Sequence, residues 1–552
     1  MTEATRNLLE QHFDTAFAAP DGITKLRELI LTLAMQGKLV EQNPNDPPAS
    51  ELLKEIEAEK LRLVKAGKIK RPKPLPPIKP EEVPYELPQG WEWVRLGEIV
   101  EVLDSLRKPV TKQDREPGPY PYYGASGIVD YVSNYIFDEP LVLVGEDGAK
   151  WGKGDNTAFS ISGKTWVNNH AHVLKPERLV LSDGFLIYCL VGMDLQSYIT
   201  GMTVPKLNQA RLVSILVPLP PLPEQHRIVA RIDQLMARCD ALGKLHKERE
   251  EKRLAVHAAA VKQLLEAKDG TAWDFIQRHF GELYTVKENV AELRKAILQL
   301  AVMGRLVPQN PNDPPAKELL GEIEAEKQRL VKAKKIKRPK PVPSIPQGDE
   351  PFPVPDNWRW VRIAELAESI DYGTSQKTCD DSSLVPVYRM GNIVDGQLSD
   401  EGFKYIAPDI DELPRLFLQP NDILFNRTNS YELVGKSARY TGPVEHATFA
   451  SYLIRVRLVD ALLNPVFTSQ AMNAPYFRLT QIEPEIVQQC GQANFNGTKL
   501  SLCAIPLPPL PEQHRIVARI DQLMTLCDTL DQQIDAASTK QTELLNAVMA
   551  QV

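Results

Sequence analysis

Cysteine is scarce in this chain: six residues in 552 (Cys189, Cys239, Cys379, Cys490, Cys503, Cys527), scattered and never spaced Cys-x-x-Cys, which excludes a zinc ribbon and a disulfide framework. They read as reduced, mostly buried apolar residues. No apolar run approaches the roughly 20 residues needed to span a bilayer. Residues 1–13 carry acids among their apolar side chains and lack the features of a signal peptide, so the expectation is a cytoplasmic protein with no membrane contact. Excess positive charge is missing too. A net charge of −7 argues against coating nucleic acid by bulk electrostatics, though it leaves room for local basic surfaces. Hydrophobic content of 43% and charged content of 25% are ordinary for globular proteins, and the length suggests three to five structural units at about 150 residues each.

Catalytic constellations are also missing. Residues 158–165, AFSISGKT, fit a loose phosphate-loop pattern, but a strand-like run rather than a helix follows, so no helix N-terminus would face the phosphates. Asn45-Asp46-Pro47-Pro48 and Asn312-Asp313-Pro314-Pro315 resemble the Asn/Asp-Pro-Pro-aromatic loop of adenine methyltransferases, yet Ala49 and Ala316 stand in the aromatic position. There Asp capping a helix, with Pro in its first turn, is the better reading. His170 and His172 alternate on one face of an expected strand without a third ligand at metal spacing, so no metal is expected.

What the chain does have is an internal repeat. His12, Phe13, Trp91 and Trp93 recur as His279, Phe280, Trp358 and Trp360, an offset of 267 that holds without a gap through QNPNDPPA (residues 42–49 and 309–316). A second block, PLPPLPEQHRIVARIDQLM, occupies residues 218–236 and 506–524, an offset of 288, so what lies between the blocks is 21 residues longer in the second copy. Between the blocks, in residues 91–216 and 358–505, no convincing sequence correspondence remains. Two near-identical frameworks offer two like surfaces, suited to two copies of one partner. Two unlike inserts should bind two different things or two parts of one thing.

Ile228, Ile232, Leu235, Cys239 and Leu242 fall in steps of four and three, a heptad seam repeated at Ile516, Ile520, Leu523, Cys527 and Leu530 and extended by Ile534. Pro223 and Pro511 suit the first turns of two long helices; a single helix from Glu224 to Ala267 would be about 65 Å long, with Gly243 a possible interruption. A second helical run is expected from Trp273 to Met303, with its repeat partner over residues 5–35. Each framework then passes into a basic arm, residues 62–79 and 329–340, with seven Lys or Arg and no acid in either, and a Pro-rich linker. The inserts show short β-branched and aromatic runs broken by Gly, Pro, Asn and Asp, as in small α/β domains.

Over essentially its whole length the sequence resembles the specificity subunits of type I restriction-modification systems. The features that carry the likeness are the duplicated framework, the motif PLPPLPEQHRIV, and the phrases YPYYGASGIVDYV and VGEDGAKWG in the first insert and GNIVDGQ, PNDILFNRTNS and VGKSARY in the second. The resemblance implies a non-catalytic protein of mixed α+β class: a framework over residues 1–90, 217–357 and 506–552, and target recognition domains over residues 91–216 and 358–505. Long antiparallel coiled-coil helices would join them with pseudo-two-fold symmetry. Each domain would read half of a split, asymmetric site on double-stranded DNA. A single copy would associate with two methyltransferase subunits and with restriction subunits, and S-adenosylmethionine, ATP and Mg would belong to those partners.

Arg and Lys suit guanine, and Asn and Gln suit adenine, when presented to the major groove. On that basis the DNA-binding candidates in the first insert are Lys108, Lys112, Arg115, Tyr122, Tyr123, Ser126, Lys150, Trp151, Lys153, Asn168 and Asn169. In the second they are Thr374, Ser375, Gln376, Lys377, Arg389, Asn392, Arg427, Thr428, Asn429, Ser430, Tyr431 and Lys436. A two-armed scaffold that binds proteins rather than DNA shares this architecture, and the duplicated basic arms count against it.

Overall fold

The computed structural model describes residues 13–66, 74–201, 203–267, 270–346, 348–489 and 492–550. It is a mixed helix-and-sheet protein that divides into two compact units, residues 1–249 with 536–552 and residues 250–535. Both divisions fall inside the long helices, Leu222–Glu266 with 45 residues and Leu510–Ala550 with 41. Gly243 does not interrupt the first. A lone glycine costs about 1 kcal/mol against alanine, too little to break a helix whose seam is held by packing. No described helix is long and apolar enough to cross a membrane.

In the first unit the chain enters its insert on the strand Glu92–Arg95 and leaves on Leu216–Leu219, and these two pair antiparallel with Trp93 opposite Pro218. Between them lie two sheets. One places Val100–Val102, Ala171–Pro176, Leu141–Gly145 and Ala158–Ile161 side by side, all antiparallel. The other joins the hairpin of Pro117–Gly124 and Gly127–Val132 to Lys164–Val167 through one parallel pair, Tyr122 opposite Trp166. AFSISGKT therefore runs from a strand of one sheet to a strand of the other through a turn at Gly163, whose φ of +71° favours glycine, and a strand rather than a helix follows it. The helix Asp183–Gly192, capped by the Ser182 hydroxyl accepting from the Phe185 amide, packs against the framework helix Gly22–Met35, where Gly192 lets the Leu31 side chain approach.

The second unit repeats this plan. Arg359–Arg362 pairs with Ala504–Leu507, and the four-stranded sheet runs Ala367–Tyr372, Leu453–Leu458, Ile423–Asn426, Ser437–Arg439, the same order by chain position as in the first. A second sheet pairs Val385–Tyr388 antiparallel with Lys404–Ile406 and in parallel with Thr448–Phe449, Val387 standing opposite Thr448. Two inserts without recognisable sequence likeness thus share one sheet topology. Even Asp104 and Asp371, 267 apart, stand at the same end of the first sheet strand, Asp104 just beyond it and Asp371 in its last stretch of pairing, and each is hydrogen-bonded to the last strand, Asp104 to the Val173 amide and Asp371 to the Arg455 side chain.

Two expectations are corrected. The run expected from Trp273 to Met303 is three helices, Thr271–Arg278, Phe280–Leu283 and Lys287–Val302, because Tyr284 turns into the core, where its hydroxyl meets His257 Nε2 at 3.1 Å. Asp46 and Asp313 do not cap the following helices, Ala49–Lys65 and Ala316–Lys332, whose N-cap positions are Pro48 and Pro315. Their carboxylates pair instead with Arg227 and Arg515 of the long helices.

The seam residues Ile228, Ile232 and Cys239 are buried in one core with Ile30, Leu31 and Ala34, and Ile516, Ile520 and Cys527 in another with Val290, Ile297 and Ala301. At the root of each long helix sits a buried pair. Trp91 Nε1 donates to Glu224 at 3.1 Å, and Trp358 Nε1 donates to Glu512 at 2.9 Å. The adjacent Gln225 accepts from the Ser182 amide and donates to the Val180 and Pro220 carbonyls; Gln513 accepts from the Asn464 amide and donates to Pro508. Arg95 ties the Pro76 carbonyl to that of Ser214, and Arg362 ties Pro343 to Leu502.

Burial pushes the carboxyls of Glu224 and Glu512 above the usual carboxylate range, against the lowering effect of the indole bonds. An acid with a raised folded-state pKa favours the fold most when protonated. The stability it contributes is complete below its ordinary pKa of 4.5 and is lost as pH rises through the raised value. Glu512→Gln keeps an acceptor for Trp358 without a titrating charge and is expected to flatten the pH dependence of stability, as read by urea denaturation between about pH 4 and 8. Glu512→Leu leaves the indole N–H unpaired and should cost about 1–3 kcal/mol.

Candidate nucleic-acid interface

Five segments of the first insert meet at one end of its sheets. The hairpin tip at 125–126 adjoins 168–170 through the Asn168 amide, which donates to Tyr123 O at 3.0 Å. The segment after Leu141–Gly145 is joined to 168–170 by Glu146 N to His170 O at 2.8 Å, and to 200–207 by Leu207 N to Glu146 O at 2.8 Å. Residues 104–108 close the group through Lys108 N to Val167 O and the Trp166 indole to Lys108 O.

A buried charged hub holds these segments in place. Arg107 reaches Asp104 at 3.2 Å and also pairs with Glu146. His172, fully buried, faces the Asp104 carboxylate through Nδ1 and the Leu207 carbonyl through Nε2, each at 2.6 Å. Asp104, Glu146 and His172 lie close enough to share a metal ion, but both His172 nitrogens are engaged and Arg107 and Lys206 take up carboxylate oxygens. The arrangement is that of a salt-bridged knot. His170 does not join it; it is exposed and pairs with Asp147.

The candidates of this insert separate by environment. Lys108, Lys112, Ser126, Lys150 and Asn169 are exposed, and Lys108, Ser126, Lys150 and Asn169 belong to the converging segments. The rest carry structural contacts. Tyr122 is buried, its hydroxyl accepting from the Val110 amide, and Arg115 lies over its ring at 4.4 Å while pairing with Asp130. Trp151 is buried and donates to Gly145 O. Asn168 is buried and accepts from the His170 amide, and Tyr123 is half-buried against Phe159. Lys153 bonds to Thr32 of the framework helix, and burial holds its ammonium below the usual lysine range. Lys206, in the same group of segments, carries no recognisable motif, which is why sequence reasoning passed over it.

In the second insert the corresponding end gathers 372–377, 389, 427–436, 450–452 and 492–495. Thr374 N donates to Phe449 O, Ser451 N to Thr374 O, Arg427 N to Tyr452 O, and Phe495 N to Arg427 O. Ser375, Gln376, Lys377 and Tyr431 are exposed there; Arg389, Asn429, Ser430 and Lys436 are half-buried. Arg389 donates to Gly402 O, and the Asn429 side chain accepts from the Ser430 amide. Arg427 lies over the Tyr372 ring at 5.0 Å and donates to Ser451 O, with its Nε buried and unpartnered among the described residues. Thr374, Asn392 and Thr428 are buried and bonded within the fold, to Glu412, to the Ser399 and Glu401 carbonyls, and to Asn494.

This insert has its own buried ion pairs. Arg455, 2% exposed, meets Asp371 at 2.7 Å, and Arg457 meets Asp422 at 2.6 Å. Burial raises Asp371, but the Ser369 and Arg455 bonds outweigh it and leave the carboxyl below the usual range. Of the basic arms, residues 67–73 lie outside the described residues; in the other copy Lys332, Lys334, Lys335, Lys337, Arg338 and Lys340 are exposed, and Arg329 pairs with Glu326.

Two inserts of like sheet order on a repeated frame, each gathering loops of differing side chains at one end, have the build of a recognition protein. The family model described as the type I restriction modification DNA specificity domain matches twice, at residues 88–251 and 355–537. The chain belongs to this family, whose members are non-catalytic DNA-recognition proteins. It is 32% identical over 571 residues to the type I restriction enzyme EcoAI specificity subunit of Escherichia coli, covering 96% of this chain and 93% of that one. To the EcoEI specificity subunit of the same species it is 31% identical, with the same coverage. Among solved structures it is similar to the HsdS subunit from Thermoanaerobacter tengcongensis, at 17% identity and a TM-score of 0.39, covering 85% of this chain and 98% of that one.

Removing one partner of a buried ion pair leaves an uncompensated charge, a loss of about 3–5 kcal/mol. Arg455→Met is expected to show a loss of that order by chemical denaturation. Arg107→Met should loosen the converging segments of the first insert, seen as faster amide hydrogen exchange at Glu146 and Leu207.

Proposed function

We propose that the two inserts read the two halves of a split, asymmetric sequence on double-stranded DNA, and that the long helices set the gap between them. The observation that carries this reading is one sheet topology presented twice on a repeated frame, with different side chains at the loop ends: lysines and acids in the first insert, Gln376, Lys377, Arg427 and Asn429 in the second. Each compact unit also contains the start of one long helix and the end of the other, as an antiparallel coiled-coil spacer with pseudo-two-fold symmetry requires. The division into frameworks at residues 1–90, 217–357 and 506–552 and target recognition domains at 91–216 and 358–505 follows from this reading.

The like surfaces of the two frameworks suit two methyltransferase subunits around a single copy of this chain, with restriction subunits joining the assembly. S-adenosylmethionine, ATP and Mg then belong to those partners. The exposed basic segment before the second insert, and the like sequence before the first, suit phosphate contact, which positions the protein without reading sequence.

Exchange of residues 91–216 for the matching insert of a relative, followed by mapping of methylated adenines in cells that carry the complete system, should change one half of the methylated motif and leave the other alone. A change in both halves would defeat the modular reading. Lengthening both long helices by one heptad adds about 10 Å and should widen the gap between half-sites by about three base pairs. An unchanged gap would remove the spacer role.

A further inference from the structure

Resting on the reading of the inserts as DNA readers, we propose that Lys206 is a specificity-determining residue that reads a guanine in the half-site of the first insert. The Lys206 ammonium lies 2.8 Å from Glu146 and 3.9 Å from Asp147, while its side chain remains 41% exposed. Its backbone is fixed on both sides, donating to and accepting from Thr200, and Leu207 next to it is bonded to Glu146. Glu146 is itself buried and anchored by Arg107, so the carboxylate that aims Lys206 cannot swing away with it. An ammonium has three donors. With one spent on Glu146, the others remain for a ligand on a side chain that is 41% exposed, in the group of segments where Ser126, Lys150 and Asn169 are also exposed.

Fixation is what separates base reading from phosphate contact. A phosphate accepts a cation from many directions, whereas the guanine O6 and N7 acceptors demand a donor in one place. Among the described residues no ion pair holds Lys108 or Lys150 at the same end of the domain, so those side chains suit the backbone. Lys206, unlike Lys108 and Lys150, is held by an ion pair.

The second insert supports the assignment from its own geometry. Leu207 N donates to Glu146 O in the first domain, and Phe495 N donates to Arg427 O in the second. One residue further on, Asn208 and Asn496 each cap a short helix. Lys206 therefore corresponds to Asn494. At that one position the first domain presents a guanine-type donor, whereas in the second the Asn494 side-chain oxygen accepts from the Thr428 hydroxyl within the fold.

The test is Lys206→Asn and Lys206→Arg in the full chain, expressed with its methyltransferase partner, with methylated adenines mapped across the genome. Lys206→Asn should lower the preference for guanine at one position of one half-site by about ten- to a hundred-fold, the range of a good base contact. Lys206→Arg, which can still reach guanine, should keep the motif. An unchanged motif with uniformly slower methylation in Lys206→Asn means a phosphate contact and overturns the proposal. Loss of methylation in both variants, with the complex still assembled, means a purely structural residue and overturns it as well. A change in the half-site that insert exchange assigns to the second domain would instead overturn the modular reading.

Discussion

The indole-to-carboxylate bond at the root of each long helix is the contact on which the rest of the arrangement depends. Trp91 and Trp358 stand where the chain enters an insert, and Glu224 and Glu512 stand where it leaves, so each bond closes a loop of more than a hundred residues. A buried carboxylate is expensive to desolvate, which is why such a residue is rarely found without a donor. Once Trp and Glu are joined, the adjacent Gln can reach the helix that follows the insert's sheet, and Arg95 or Arg362 can reach both the linker and the last turn of the insert. What lies between can then vary, because closure does not depend on it.

That division explains what was legible in the sequence. The frame was legible because each of its contacts joins residues from two repeated blocks, so Trp91 and Glu224 recur with the offsets 267 and 288 that bracket the insert. The seam was legible because Ile228, Ile232 and Cys239 must face a core at helical spacing. The likeness between the inserts was not. A sheet order is set by which strands pair, and strands as different as LVLVG and ILFN satisfy the same pairing when both are fully buried. One residue did carry the signal: Asp104 and Asp371 keep the offset of 267 beyond the tryptophans and hold the same place beside the last strand.

Within the readers, chemical type alone selected side chains and could not separate aimed groups from buried ones. Tyr122, Trp151, Asn168, Asn392 and Thr428 have the chemistry of base contacts, yet each is taken up by backbone or side-chain bonds inside its own domain. Aromatic and amide residues near a loop serve the loop as often as a ligand, since a buried turn needs donors and acceptors of its own. Asp46 failed as a helix cap for a related reason. An arginine brought in from a distant helix offered its carboxylate a charged partner, and proline filled the N-cap position instead.

The two readers solve one problem with different charges. Each must hold four or five loops in register at the end of a small sheet, without the large core that a longer domain could bring to bear. Buried ion pairs do this well because they are directional and their loss is costly, even where their net contribution to stability is small. The first insert uses Asp104, Arg107, Glu146 and His172; the second uses Asp371 and Asp422 against Arg455 and Arg457. The knot sits beneath the loop ends in the first insert, while in the second Arg457 and Asp422 brace the opposite end of the strands Ile423–Asn426 and Leu453–Leu458. In both, the surface side chains can change identity while the buried pairs keep the sheet rigid. A rigid platform under variable side chains is the physical condition for discriminating bases, since a donor that can drift an ångström forgives the wrong acceptor.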